Sequence, residues 1–190
     1  MVISYYGGGM VKVALGETVI VWNPNGRVKF GADIALVSVN DAGYNVVAGA
    51  TRGDRVPFVI DGPGEYEIGG VFVKGLATEG PDGKINTVYL LILDGVRLVH
   101  LGALANDKIS DKVIEEIGAV DVLFVPVGLK VISSFEPNLV IPINYDDVGL
   151  KKFLKEAGSE NGQPVESFQL KKKDLADQEA AVVVLKSLSS

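Results

Sequence analysis

The stretch of sequence that decides the fold is residues 32–45, which read ADIALVSVNDAGYN. Its first half, Ile34 to Ser38, is a continuous apolar run, which is typical of a β-strand covered on both faces. Its second half is a loop of Asn, Asp and Gly residues, which favour turn conformations. The stretch therefore predicts a buried strand followed by a polar, turn-rich loop.

In the rest of the chain, the dominant pattern of apolar and polar residues is the two-residue alternation of β-strands. The segments Gly69-Gly70 and Asp94-Gly95 lie between such runs and predict tight hairpins. The other predicted strands are Val2 to Tyr6, Val11 to Leu15, Thr18 to Trp22, Tyr44 to Ala48, Pro57 to Ile60, Glu65 to Ile68, Val71 to Lys74, Thr87 to Leu93, Arg97 to Leu101, Asp121 to Val125, Leu139 to Ile143, Glu166 to Leu170 and Ala181 to Lys186.

Two segments in the second half of the chain have helical patterns. Ser110 to Gly118 begins with a capping serine and ends at a glycine. Asp146 to Gly158 has a continuous apolar face, and Asp147 is its predicted cap. Many strands with few helices predict two packed sheets, each with a helix on its outer face. We expect one domain over residues 1–186 and a short tail over residues 187–190.

The composition excludes several kinds of chemistry. The 190 residues include one histidine, His100, and no cysteine, so the chain has no disulfide framework, thiolate zinc site or multi-histidine metal centre. The net charge is −6, and Asp174 directly follows the one basic run, Lys171 to Lys173. Nucleic-acid binding needs clustered basic residues, so we expect no nucleic-acid partner. No targeting segment or membrane span is visible, which predicts a cytoplasmic protein without a membrane partner.

Residues 32–45 resemble the metallo-β-lactamase superfamily, in particular its small ascorbate-phosphate-lactonase-like branch. In that family the strand reads DIVLVSH and continues as His-x-His-x-Asp-His, the main metal motif. Four further segments resemble the family in the same order: GPGEYEIGG at residues 62–70, TVYLLILDGVRLVHLG at 87–102, VDVLFVPVG at 120–128 and FEPNLVIPINY at 135–145. The resemblance implies an α+β fold, the four-layer αββα sandwich, here strand-rich with reduced helices.

The positions that match the family's metal ligands do not carry them. The mid-chain histidine has no counterpart between Thr78 and Asn86, and Leu129 to Ser134 is too short for a family helix. The four ligands of the main motif fall on Val39, Asp41, Gly43 and Tyr44. The bridging aspartate falls on Ala103, and the late histidine falls on Asn144.

This set of residues predicts a degenerate site. Only Asp41 offers a good metal donor, and a two-metal centre that activates hydroxide needs several. We therefore expect no cofactor, no metal ligands and no catalytic residues, and a non-catalytic role in binding or assembly. The first alternative is a metal-dependent hydrolase of lactone or phosphoester type with a non-standard metal at Asp41. The second is an oligomeric interaction module that pairs through exposed edges such as Val2 to Tyr6.

Two residues of the site have competing interpretations. Asp41 is either a residual metal ligand or part of a turn, and the turn is favoured because Asn, Asp and Gly form turns on their own. His100 is either a general base or a hydrogen-bonded histidine at a strand end, and the structural role is favoured. The former metal cleft is either filled by apolar and aromatic side chains or open as a metal-free pocket for a small molecule. Filling is favoured, because a void costs stability unless it is repacked.

Overall fold

Two β-sheets contain most of the regular structure of the chain. The computed structural model describes residues 1–160, 162–176 and 178–188. Short 3₁₀ helices span Val47–Ala50, Pro81–Gly83 and Lys172–Leu175. The strands and α-helices are β1 Val2–Tyr5, β2 Val11–Leu15, β3 Thr18–Trp22, β4 Ile34–Leu36, β5 Phe58–Ile60, β6 Gly64–Ile68, β7 Val71–Glu79, β8 Ile85–Leu93, β9 Val96–His100, α1 Asp111–Ile117, β10 Val122–Pro126, α2 Ile132–Phe135, β11 Leu139–Ile143, α3 Asp147–Glu156, β12 Ser167–Gln169 and β13 Ala181–Val182.

Both sheets are mixed. The first has the order β12-β1-β2-β3-β4-β5, and the second has the order β13-β11-β10-β9-β8-β7-β6. β3, β4 and β5 run parallel, as do β9, β10 and β11. β1 pairs on both sides, with β12 and with β2. The prediction that Val2 to Tyr6 offers an exposed edge was therefore wrong, because a strand from the far end of the chain covers it.

The inner faces of the two sheets form the main core. Alternate residues point into it, such as Ile20 and Trp22 of β3 and Phe124 of β10, all of which are fully buried. Ile34 to Ser38, the run predicted to be covered on both faces, is buried throughout. The strands β10 and β11 are buried throughout as well. Burial on both faces explains why these strands lack alternation in sequence.

The outer faces are covered unequally. α1 and α3 pack on the second sheet, where Ile117 and Phe153 join its outer residues in one cluster. The first sheet is covered by the 3₁₀ helix Val47–Ala50 and by the loop before β4, with Ala50 packed near Ala35. The αββα sandwich that the family resemblance implies is confirmed. The prediction that each sheet carries one of the two helices was wrong, because α1 and α3 both lie on the second sheet and the first sheet has only one 3₁₀ turn.

Three local predictions were wrong. Tyr44 to Ala48 is not a strand: Tyr44 N–H bonds back to Asp41 O at 2.9 Å, so the chain turns and then enters the 3₁₀ helix. The cap of α3 is Asp146 rather than Asp147, since the Asp146 side chain accepts from Gly149 N–H at 2.7 Å. Leu129 to Ser134 was predicted to be too short for a helix, but Ile132–Phe135 forms one helical turn, α2.

The C-terminal residues lie along the first sheet. Leu188 N–H donates to Tyr5 O at 2.9 Å. Residues 189 and 190, the end of the predicted tail, lie outside the described residues, and the boundary at residue 186 stays a prediction. Among the described residues, no helix is both long and apolar enough to cross a membrane.

Candidate functional site

One end of the sandwich gathers the loops that carry every candidate residue. β4 runs parallel to β3 and β5, and β10 runs parallel to β9 and β11, so the carboxyl ends of these strands meet at one edge of each sheet. β8 runs antiparallel to β9, so β8 starts at this edge. The turn between β1 and β2, residues 7–10, also lies at this end. The predicted positions after β4, β9 and β11 thus share one end of the molecule.

The glycine turn between β1 and β2 lies among three of the candidate residues. Gly8 O accepts from Asn144 N–H at 2.8 Å, and Gly9 O lies 3.0 Å from Nε2 of His100. A Cβ atom on Gly9 would lie 2.9 Å from Cε1 of Tyr44. Backbone therefore occupies the space between Tyr44, His100 and Asn144, and glycine is needed at residue 9 because the Tyr44 ring packs against it.

His100 is a fully buried, neutral side chain with both ring nitrogens engaged. Gly102 N–H donates to Nδ1 at 3.0 Å, so Nε2 carries the proton and donates to Gly9 O. The ring stacks on Trp22 with centroids 5.6 Å apart. Burial lowers the pKa of His100 to about 3, and the bond to Gly9 O opposes this only in part. A neutral imidazole with no free lone pair is a structural group, not a base poised to take a proton.

A buried asparagine holds the loop after β9 in place. Asn86, near the start of β8, donates from Nδ2 to Leu101 O at 3.0 Å and to Thr78 Oγ1 at 2.8 Å. Its Oδ1 accepts from Ala103 N–H at 2.7 Å. In the sequence predictions, Asn86 appears only as the end of a stretch that lacks the family's mid-chain histidine. An amide inside an otherwise apolar strand was the signal that could have identified it.

Asp41 lies at the surface and is already paired with a cation. Lys84 Nζ lies 2.6 Å from its Oδ2, and Gly43 N–H donates to its Oδ1 at 3.3 Å. Lys84 and, to a smaller extent, Gly43 hold the pKa of the Asp41 carboxyl below its ordinary value. The backbone of residues 41–45 forms a turn, because Asp41 O accepts from Tyr44 N–H.

The remaining candidate positions offer no donor directed at a common point. Val39 is buried and apolar, and Ala103 contributes its backbone N–H to Asn86. Asn144 has a positive φ of 52° and is exposed, and its N–H bonds to Gly8 O and to the Tyr5 hydroxyl. Burial raises the pKa of the Tyr44 hydroxyl, and the charge of Asp41 adds to this. Tyr44 is therefore not prepared to ionise and bind a metal.

These residues do not fit the two-metal centre that the family resemblance implies. Transition metals need three or four imidazole, thiolate or carboxylate donors in fixed geometry. Among the described residues, no group of three or more His, Cys, Asp and Glu side chains is arranged to hold a metal ion. The one carboxylate at a matching position, Asp41, has a lysine ammonium as its counterion. No reaction step through a bound metal follows from this arrangement.

Comparisons with known proteins agree on the fold and family. The family model for the β-lactamase superfamily domain matches residues 2–144. No curated protein sequence matches the chain. Among solved structures, a predicted Zn-dependent hydrolase of the metallo-β-lactamase superfamily from Thermotoga maritima is 28% identical, with 97% of each chain covered and a TM-score of 0.80.

Two further solved structures share the fold at lower identity. A predicted metal-dependent hydrolase from Parabacteroides distasonis is 16% identical, with a TM-score of 0.67 over 97% of this chain and 93% of that one. A metallo hydrolase from Ignicoccus hospitalis is 15% identical, with a TM-score of 0.58 over 90% of this chain and 99% of that one. The ascorbate-phosphate-lactonase-like branch stays a prediction. The family match and the fold together place this chain in the metallo-β-lactamase superfamily.

Proposed function

We propose that this chain is a non-catalytic member of its superfamily, which has kept the scaffold and lost the metal centre, and that it acts by binding. The observation that carries the proposal is the ion pair between Lys84 and Asp41. A metal at Asp41 would have to displace an ammonium held at 2.6 Å, and it would find few other strong donors nearby.

The state of His100 supports the same proposal. A metal-free hydrolase would need a base with a pKa near the working pH. Burial and the bonds to Gly9 and Gly102 keep His100 neutral and enclosed. The net charge of −6 also supports a role without a nucleic-acid partner.

Elemental analysis tests the proposal directly. The protein is expressed with added zinc, manganese and iron and purified without chelator, and the metal content per chain is measured by plasma mass spectrometry. We expect far less than one metal ion per chain, because the donor set cannot retain one through purification. One or two transition-metal ions per chain would overturn the proposal.

An activity screen provides the second arm of the test. Lactones, phosphoesters and carboxylic esters are offered to the same preparation with added divalent ions. We expect no turnover above buffer. Turnover that survives repurification and is lost in Asp41→Ala, but not in the matched surface variant Asp54→Ala, would show that the chain is a hydrolase.

A further inference from the structure

β5 is an edge strand of the first sheet, and one of its two sides has no partner strand. On the other side, Phe58 N–H and Ile60 O form hydrogen bonds to residues that flank β4, each at 2.8 Å. Because the backbone groups of a strand alternate in direction, Val59 N–H and Val59 O point away from β4. Among the described residues these two groups have no hydrogen-bond partner, and neither has Asp61 N–H. The edge therefore offers two donors and one acceptor to another backbone.

The exposed side chains at this edge are apolar. Val56, Phe58 and Val59 are 68%, 53% and 41% exposed, and β5 itself has no charged residue. The edge strand β6 of the second sheet differs, because it exposes Glu65 and Glu67. Charged side chains protect an edge strand from pairing with another chain. β5 lacks this protection, so its edge is suited to accept a partner strand.

An open cleft lies at the carboxyl end of β5, where Asp61 is part of its lining. Its volume is about 380 Å³, and Val39, Pro63 and the exposed Ile85 form its apolar walls. The ammonium of Lys84 also lines the cleft, but it is already held in an ion pair. The Asp61 carboxylate has no ion-pair partner among the described residues. The unpaired charge of the cleft is therefore negative.

A lysine or arginine side chain matches this lining. Its alkyl stem can cover apolar walls such as Ile85 and Pro63, while its charged head reaches a carboxylate such as Asp61. The cleft and the free edge adjoin, since Asp61 belongs to both. Peptides that add a strand to a sheet edge use the same combination, in which main-chain hydrogen bonds provide affinity and pockets for side chains provide specificity.

A second copy of this chain is a poorer occupant of the edge than a separate segment. β5 has three residues and follows Pro57, which has no N–H. Two copies paired through β5 would thus share a strand of three residues, a small part of the roughly 800 Å² per partner that a stable dimer buries. Each copy would also bring its own unpaired Asp61 and a net charge of −6. Area and charge both favour a short basic segment of another protein.

We propose that the free edge of β5 binds a short extended segment of a partner protein as an additional strand, with apolar side chains against Phe58 and Val59 and one lysine or arginine in the cleft beside Asp61. The inference rests on the proposed function, which is binding without catalysis, and it names the class of partner that is bound. A segment held by so few contacts predicts a Kd of about 0.1 to 1 mM.

Amide hydrogen exchange tests the strand pairing residue by residue. The probe is an acetylated and amidated hexapeptide of alternating valine and threonine in which one threonine is replaced by lysine. Without peptide, Val59 N–H and Asp61 N–H should exchange fast, whereas Phe58 N–H is already bonded. At a peptide concentration ten times the Kd, exchange at Val59 and Asp61 should slow about tenfold, because it then occurs from the small unbound fraction.

The control peptide has proline at its two central positions. It lacks the N–H groups that pair with the edge and should leave both amides unchanged. Unchanged exchange at Val59 with the lysine peptide, or equal slowing with the proline peptide, would overturn the inference.

Charge changes test the role of Asp61. The peptide with glutamate in place of lysine should bind about tenfold more weakly, because attraction is replaced by repulsion. Asp61→Asn should weaken binding of the lysine peptide about threefold, the value of a solvent-exposed ion pair. The matched variant Asp94→Asn changes an exposed aspartate in the turn between β8 and β9 and should leave binding unchanged. Equal affinity for the lysine and glutamate peptides would contradict a basic partner.

The protein without peptide provides the remaining outcomes. If exchange at Val59 slowed with rising protein concentration while light scattering showed a dimer, a second copy would occupy the edge and the separate basic segment would be wrong. The metal content of the same preparation distinguishes the two proposals. A metal-free protein that binds no peptide contradicts the edge inference alone, whereas stoichiometric metal contradicts the proposed function, whatever the protein does with the peptide.

Discussion

Lys84 Nζ lies 2.6 Å from Asp41 Oδ2, and this contact joins the residue just before β8 to the loop that follows β4. Each side chain is 42% exposed, so the pair is screened by solvent and contributes little to stability. Its consequence is electrostatic: the one carboxylate at a position that matches a metal ligand of the family has a counterion from within the chain.

Replacement of Lys84 should release the Asp41 carboxyl. In Lys84→Met we expect the pKa of Asp41 to rise toward its ordinary value, because the lysine is the largest cause of its depression. Titration of the side-chain carboxyl ¹³C shift measures this. Lys84→Arg keeps the charge and should keep the pKa low. An unchanged pKa in Lys84→Met would mean that the ion pair does not control this carboxylate.

The buried His100 should make the protein less stable as the pH falls below about 6.5. The pKa of His100 is about 3 in the folded chain and about 6.5 in the unfolded chain. Between these values the unfolded state binds the additional proton, so stability is lost as pH decreases. From pH 6.5 to 5 the loss should be about 1.6 kcal/mol, because the full slope of about 1.4 kcal/mol per pH unit is reached only well below the unfolded pKa.

Urea denaturation followed by the fluorescence of Trp22 measures this loss, since Trp22 is the single tryptophan and stacks on His100. His100→Gln cannot bind the proton and should show a much flatter profile between pH 7 and pH 5, although it should be less stable at pH 7. A slope of equal size in both proteins would assign the pH dependence to other groups.

Asn86 should contribute more to the free energy of unfolding than an exposed asparagine does. Asn86→Ala leaves Leu101 O and Ala103 N–H without their partner in a buried region, and each such group costs about 1–3 kcal/mol. We expect a loss of about 3 kcal/mol in the free energy of unfolding. The control is Asn45→Ala, which removes one exposed bond to Asn40 and should cost about 0.5 kcal/mol or less. Similar losses in both variants would contradict the role given to Asn86.

The existence of most strands and the burial of β4, β10 and β11 follow from patterns that are local in sequence. Runs of apolar residues indicate burial on both faces wherever they occur. The expected structural role of His100 agrees with its geometry, since a lone histidine between apolar neighbours usually lies inside a core. The family resemblance located the loops after β4, β9 and β11, which the structure places at one end of the sandwich.

What the sequence could not show depends on contacts between distant segments. The residues from Tyr44 to Ala48 were predicted to form a strand, yet Val46 N–H bonds to Pro24 O, and no strand pairs with them in the part of the chain that the structure describes. The importance of Asn86 appears only when β8 and β9 pair and bring Leu101 and Ala103 to its side chain. The counterion of Asp41 lies 43 residues away in the chain, a separation that no local pattern reveals.

Gly102 should be the least replaceable glycine at the site. It has a φ of +66°, and a Cβ atom there would lie 2.3 Å from Asn86 Oδ1 and 2.6 Å from Ser38 Cβ. The left-handed backbone costs a non-glycine residue about 1–2 kcal/mol, and forced repacking of a filled core adds about 1–3 kcal/mol. Gly102→Ala should therefore lose at least about 2 kcal/mol in urea denaturation.

The matched control for this variant is Gly53→Ala. Gly53 has a similar φ of +60°, but nothing lies within 4 Å of the Cβ position, so only the backbone cost applies. The difference between the two variants measures the steric cost of the contacts with Asn86 and Ser38. If the two variants lost equal stability, the packing around residue 102 would be loose enough to accept a methyl group. The buried side chains of Asn86 and Ser38 would then not be a rigid filling around residue 102.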